Sequence, residues 1–285
     1  MEHYTKQWSS ATPGYLIFLV DQSYSMSTEW LDKKSFAVFT SEVINETINE
    51  LIATNAAGET VKDRVFISII GYGGDNEIKN LRSDYLSKYA DSPIRIDKNK
   101  KKVSDGEGGY VDMEIEIPIF LEPRANGFTP MAGAFELAKK LITGWIEKKN
   151  DNPVPVIINI SDGHPEGNSP ENTAAEKRNT EILASEILNL RTEDGNPLVF
   201  NVHIAQSGKE YQFPENKLEL DGDKLAEFLF EISSEVPSSY RKAAKDLKLQ
   251  SLKDNSKGFI SNASPETLIK FINFGSSGGT DRSAL

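Results

Sequence analysis

Three short segments place oxygen donors where the chain is expected to reverse. Asp21-Gln22-Ser23-Tyr24-Ser25 directly follows the apolar run at residues 15–20. Asn126-Gly127-Phe128-Thr129-Pro130-Met131 stands just ahead of a helical pattern, and Ser161-Asp162-Gly163 closes the apolar run at residues 154–160. Asp21, Ser23, Ser25, Thr129 and Asp162 together offer two carboxylates and three hydroxyls. Donors of this kind suit a hard divalent cation. Mg²⁺ wants six oxygens and usually keeps some of them as water. The hydroxyls can hold the ion directly while the acids hold its waters. One position then stays open, and a carboxylate from another molecule is the natural group to fill it. Mg²⁺ is the expected ion, and Mn²⁺ or Ca²⁺ would accept the same donors.

Such donors meet only if the elements carrying them end at one edge. Residues 15–20, 64–71, 154–160 and 198–205 read as buried strands, with a short strand at 259–260. Phe36, Phe39, Val43, Ile44, Ile48, Leu51 and Ile52 recur at helical spacing, which predicts a helix over about 30–53 with Ser27 or Thr28 as its N-cap. Phe135, Ala138, Leu141, Ile142 and Trp145 mark a second helical face. Residues 173–191 give a third, with Ile182, Leu183, Ile187 and Leu190 inward. Residues 225–232 and 240–249 follow, and a closing helix at 265–274 has Pro265 in its first turn. Strands alternating with helices predict an α/β fold, a doubly wound and mainly parallel central sheet flanked by helices. Right-handed crossovers put the carboxyl ends of its strands on one side. Residues 73–122 break the rhythm. Val111, Met113, Ile115 and Ile117 alternate with acids, as Ile94 and Ile96 do with Arg95 and Asp97. This predicts a β-hairpin carried as an insertion. One domain over 1–274 and a flexible Gly/Ser-rich tail at 275–285 complete the reading.

The ordered set of Asp-x-Ser-x-Ser, a distant Thr and a distant Asp resembles the metal-ion-dependent adhesion site of the von Willebrand factor A (VWA) domain family. Asp21, Ser23, Ser25, Thr129 and Asp162 fall on its positions, and the resemblance covers roughly residues 13–274. It implies a VWA or Rossmann-like fold and a Mg²⁺ ion that binds an Asp or Glu of a protein partner. Without cysteines or a signal segment, the chain looks most like intracellular bacterial members. Their associations with AAA+ ATPases, kinases, phosphatases or stress and defence systems imply a partner of that kind. One departure is Phe128, where the family usually has a small residue before the Thr.

Composition narrows the alternatives. A net charge of −11 argues against nucleic acid or anionic lipid as a partner. The absence of cysteine removes disulfides, thiolate metal sites and Cys nucleophiles, and suits a reducing compartment. The chain is therefore expected to be cytoplasmic. No catalytic function is expected: Ser23 and Ser25 lack a nucleophile elbow. A Mg²⁺ phosphohydrolase of the haloacid dehalogenase type would need an acid at position 23 and an acidic pair at 162–163. It remains the enzyme alternative, beside a scaffold whose metal only pins loops. His164 reads as a loop residue, Lys98 and Lys100–Lys102 as a solvated hairpin flank, and Tyr72-Gly73-Gly74-Asp75 as a weak phosphate-loop candidate.

Overall fold

The computed structural model describes residues 4–73, 77–104 and 110–277. Strand β1 (Gly14–Gln22) is buried at every position, so both of its faces must be covered. It lies between β2 (Val65–Gly73) and, from much later in the chain, β6 (Val156–Ser161), parallel to both. The remaining sheet strands are β3 (Glu77–Tyr85), β7 (Leu198–Ile204), β8 (Tyr211–Gln212) and β9 (Phe259–Ala263). Their order is β8-β9-β7-β6-β1-β2-β3, parallel throughout its middle and antiparallel only at the two edge strands.

Alternate residues of the strands feed two cores. Leu16, Phe18 and Val20 pack with Ile44 and Ile48 of α1 (Phe36–Asn55) and Phe271 of α7 (Pro265–Gly275). Tyr15, Ile17 and Leu19 pack with Phe135 and Ile142 of α3 (Met131–Lys148), Ile187 of α4 (Pro170–Leu188) and Leu229 of α5 (Lys224–Glu231). The period of two along a strand sends neighbouring side chains to opposite helical layers. Two short helices, α2 (Leu86–Asp91) and α6 (Arg241–Asp246), complete the set. None of the helices among the described residues is long and apolar enough to cross a membrane.

The predicted elements are present, with several corrections. Helix α1 starts at Phe36 rather than Trp30, because residues 29–35 form a small antiparallel turn through Asp32 and Lys33 at positive φ. Ser35, not Ser27 or Thr28, caps the helix by accepting from the Val38 amide at 3.3 Å. Ile182 is exposed, and α4 buries Thr180 and Ala184 together with the expected Ile187. Residues 77–85 belong to the central sheet and not to an insertion. Their polar sequence hid an edge strand, whose Ile78 fits against Gly133 of α3 so closely that a Cβ there would lie 2.6 Å from Ile78 Cδ1. Gly275 is helical, and Ser276 and Ser277 are buried, so the tail does not start at 275; residues 278–285 lie outside the described residues.

The hairpin is real: β4 (Arg95–Ser104) pairs with β5 (Tyr110–Ile119) as a separate two-stranded ribbon. Its return to the body is held by two asparagines of α1: Asn49 donates to the Pro118 carbonyl at 3.2 Å, and Asn45 is buried. Asn45 of α1 accepts from the Phe120 and Leu121 amides at 2.8 and 2.9 Å and donates to the Leu121 carbonyl at 3.0 Å. Asn45→Ala leaves those buried backbone groups unpaired. Urea unfolding should show a loss of about 2–4 kcal/mol with an unchanged slope.

Candidate metal centre

The chain leaves β1 toward β2 on one side and later inserts β6 on the other. The carboxyl ends of β1 and β6 therefore flank the point where the winding reverses, which is where open α/β sheets place ligands. Asp21 and Ser161-Asp162 meet there. Asp21 Oδ1 accepts from the Ser23 amide at 2.8 Å, and Oδ2 accepts from the Ser161 hydroxyl at 2.6 Å. The chain then enters a 3₁₀ turn at Tyr24–Ser27, anchored by buried Met26. This turn brings Ser23 Oγ within 3.0 Å of Ser25 Oγ, and the Ser25 hydroxyl donates to Asp162 Oδ1 at 2.8 Å. Gly73 at the end of β2 permits the fold of this loop: φ is +106°, and a Cβ would lie 2.5 Å from the Ser23 nitrogen.

Thr129 enters through its loop backbone. The Asn126 amide donates to the Gln22 carbonyl at 2.8 Å, and the Tyr24 amide to the Gly127 carbonyl at 3.0 Å. Thr129 and Glu166 exchange backbone hydrogen bonds at 3.2 and 3.0 Å, tying the same loop to the segment after Asp162. Glu176 of α4 accepts from the Ala132 amide at 3.2 Å and so holds the start of α3 against this edge. The five predicted residues thus lie at the end of β1 and on three adjoining segments that are hydrogen-bonded to one another. Asp21, Ser23 and Thr129 are buried, while Ser25 is exposed.

The electrostatics of the cluster are unbalanced. Burial pushes the Asp21 carboxyl up to about 7, and the charge of Asp162 adds to the rise; the bonds from Ser161 and Ser23 oppose it. Asp162 is also raised by burial, against the bond from Ser25. Burial and the neighbouring Asp21 hold the Tyr72 phenol well above its ordinary value. Among the described residues no Lys, Arg or His forms an ion pair with either acid. No group of three or more His, Cys, Asp or Glu among the described residues is placed to hold a metal either. The set instead joins two acids to hydroxyls, donors that fit a hard divalent cation, which would supply the missing positive charge.

Sequence reasoning did not single out the residues beneath the site. Ser161 positions Asp21 directly. The Tyr72 hydroxyl donates to Asn159 Oδ1 at 2.8 Å, Asn159 to Asn201 Oδ1 at 2.9 Å, and Asn201 to Ser233 Oγ at 2.9 Å. Asn159 and Asn201 are paired in register, each a polar residue in a buried strand, and that oddity was the available signal. His203 lies 3.1 Å from Ser261 Oγ; burial lowers its pKa. His164 is exposed, consistent with its reading as a loop residue. Gly74 and Asp75 of the weak phosphate-loop candidate lie outside the described residues, and Tyr72 and Gly73 end a strand.

The mixed α/β architecture, with its mostly parallel seven-stranded sheet, is consistent with a VWA or Rossmann-like fold. No protein-family profile matches the chain, and no curated protein matches it. Among solved structures it is similar to the vWF domain of the type V pili tip protein Mfa5 from Porphyromonas gingivalis: 14% identity over 94% of this chain and 78% of that one, TM-score 0.31. It is similar to the PilB minor pilin from Streptococcus sanguinis at 11% identity, over 93% of this chain and 61% of that one, TM-score 0.46. The pilus adhesin SpaC from Lactobacillus rhamnosus GG matches at 12% identity, over 95% of this chain and 30% of that one, TM-score 0.46. The cytoplasmic expectation is corrected here, and the intracellular placement with it. The neighbours are pilus proteins. A chain without cysteine has no thiols to pair and is as compatible with an oxidising exterior as with a reducing interior.

The raised Asp21 has a consequence for stability. An acid with a folded pKa above its unfolded value favours the folded state when protonated, so it imposes no penalty below about pH 4. The penalty grows as pH rises toward about 7. In EDTA at pH 7.5, Asp21→Asn should therefore melt above the wild type, by about 2–6 °C, and the difference should vanish near pH 4. Mg²⁺ should stabilise the wild type and leave Asp21→Asn unmoved. Thermal melts at the two pH values, with and without Mg²⁺, check this.

Proposed function

We propose that the chain is a metal-dependent protein-interaction module of VWA type. Its doubly wound sheet presents Asp21, Ser23, Ser25, Thr129 and Asp162 as a metal-ion-dependent adhesion site. The observation that carries this reading is the hydrogen-bonded run from Asp21 to Asp162, whose acids have no ion-pair partner among the described residues. Ser23, Ser25 and Thr129 would hold Mg²⁺, with Asp21 and Asp162 orienting its waters. The bound ion would offer an open position to an Asp or Glu carboxylate of the partner. Ser161 fixes the Asp21 carboxylate, and Ser25 fixes that of Asp162, so both are oriented before an ion arrives.

The partner is proposed by its chemistry, a surface carboxylate. An ATPase, kinase or phosphatase was expected from the intracellular placement and goes with it. Phosphoester hydrolysis would need a second acid two residues after Asp21, where this chain carries Ser23.

Affinity capture with the tagged full chain tests the reading. Wild type in Mg²⁺, wild type in EDTA, and the Asp21→Ala/Ser23→Ala double variant are compared on the same source of partners. The expected result is a partner retained only by wild type in Mg²⁺ and released when its own acid is changed to the amide. A partner held equally in all three would move the contact surface away from Asp21. A metal that raises the melting temperature without changing partner affinity would make the ion structural.

A further inference from the structure

Beside the metal loops lies a groove of about 680 Å³ that the metal reading leaves unused. Its volume falls within the range of ligand-binding clefts. Phe128, next to Thr129, forms one wall and is 39% exposed. His164, two residues after Asp162, lines it together with the apolar Pro165 and Ala174. Lys177 of α4 and Lys224 of α5 form the far wall. The groove therefore starts at two of the loops that carry the site and runs away from it along α4.

Its charge is opposite to that of the whole protein. The net charge is −11, yet the lining holds two lysines against a single acid, Glu166; burial and the neighbouring Lys177 lower the His164 pKa, so His164 adds no charge near neutral pH. Lys224 pairs with Glu227 at 2.8 Å and stays largely exposed. Lys177 has no carboxylate partner among the described residues; it lies 5.4 Å from the ring centre of Phe228. The His164 ring sits 6.1 Å from the same buried Phe228. Phe228 thus lies against both the Lys177 ammonium and the His164 ring.

We infer that this groove is the specificity subsite for an acidic peptide segment of the partner. The segment would place one carboxylate at the metal, an aromatic or large aliphatic side chain against Phe128 and Pro165, and a second carboxylate at Lys177 and Lys224. The inference rests on the metal-dependent reading and extends it. It also gives Phe128 a role: a small residue there would remove the apolar wall.

A display library of short peptides with one fixed Asp and randomised flanks, panned on the full chain, tests it. In Mg²⁺ the expected selection is an apolar, mostly aromatic residue and a second Asp or Glu close to the fixed Asp. Lys177→Glu should weaken a selected peptide about fivefold and shift the favoured flank from acid to base. Lys177→Gln, which keeps much of the packing on Phe228, should lose the acidic preference without gaining a basic one. Phe128→Ser should lose the apolar preference and keep the Mg²⁺ requirement. Mg²⁺-dependent selection with random flanks, unchanged by these variants, would overturn the subsite and leave the metal reading standing. Selection indifferent to Mg²⁺, or none at all, would overturn both. The Mg²⁺ response of each variant's melting temperature shows that it has folded with the metal loops intact.

Discussion

A buried carboxylate without a counter-charge is the constraint around which this molecule is arranged. Asp21 is 1% exposed, at the end of the central strand, and faces a second acid across two serines. Burying a charge is costly unless it is paired or hydrogen-bonded. The Ser23 amide and the Ser161 hydroxyl recover part of that cost, and the carboxyl still rises to about 7. A hard cation would relieve the rest. The same atoms that carry this cost are those suited to an ion, so binding one would couple to stability through one side chain.

The sheet sets where this cost is placed. The two strands that end at the acids are neighbours in space but far apart in sequence, separated by α1, two further sheet strands, α2, the hairpin and α3. Only the reversal in winding order beside β1 brings them together. Beneath the acids, Tyr72, Asn159, Asn201 and Ser233 form a buried polar line across the strands, each member bonded to the next. A fully satisfied network of this kind rigidifies the strand ends on which the loops depend.

Much of this was legible in the chain. The buried strands are continuous apolar runs, and the acids and hydroxyls at their ends announced the loops. The five residues proposed for the site fall at the end of β1 and on segments that hydrogen bonds join to it. What escaped is what pattern cannot carry. Residues 77–85 lie at a sheet edge with a polar outer face, so they show neither a clean alternation nor an apolar run. The start of α1 was misplaced because the turn at Asp32 and Lys33 depends on positive φ at non-glycine residues, which composition does not advertise. The support from Ser161 and the cationic wall at Lys177 and Lys224 arise from tertiary proximity alone. The cytoplasmic reading failed for a different reason: absence of cysteine restricts chemistry and does not specify a compartment.

Calorimetric titration of Mg²⁺ into the purified full chain tests the central claim most directly, with Asp21→Asn and Thr129→Ala measured alongside. The account predicts a single site in the wild type, lost in Asp21→Asn and weakened in Thr129→Ala, with the fold of both variants intact. No Mg²⁺ binding by the wild type, or binding that both variants retain unchanged, would contradict it.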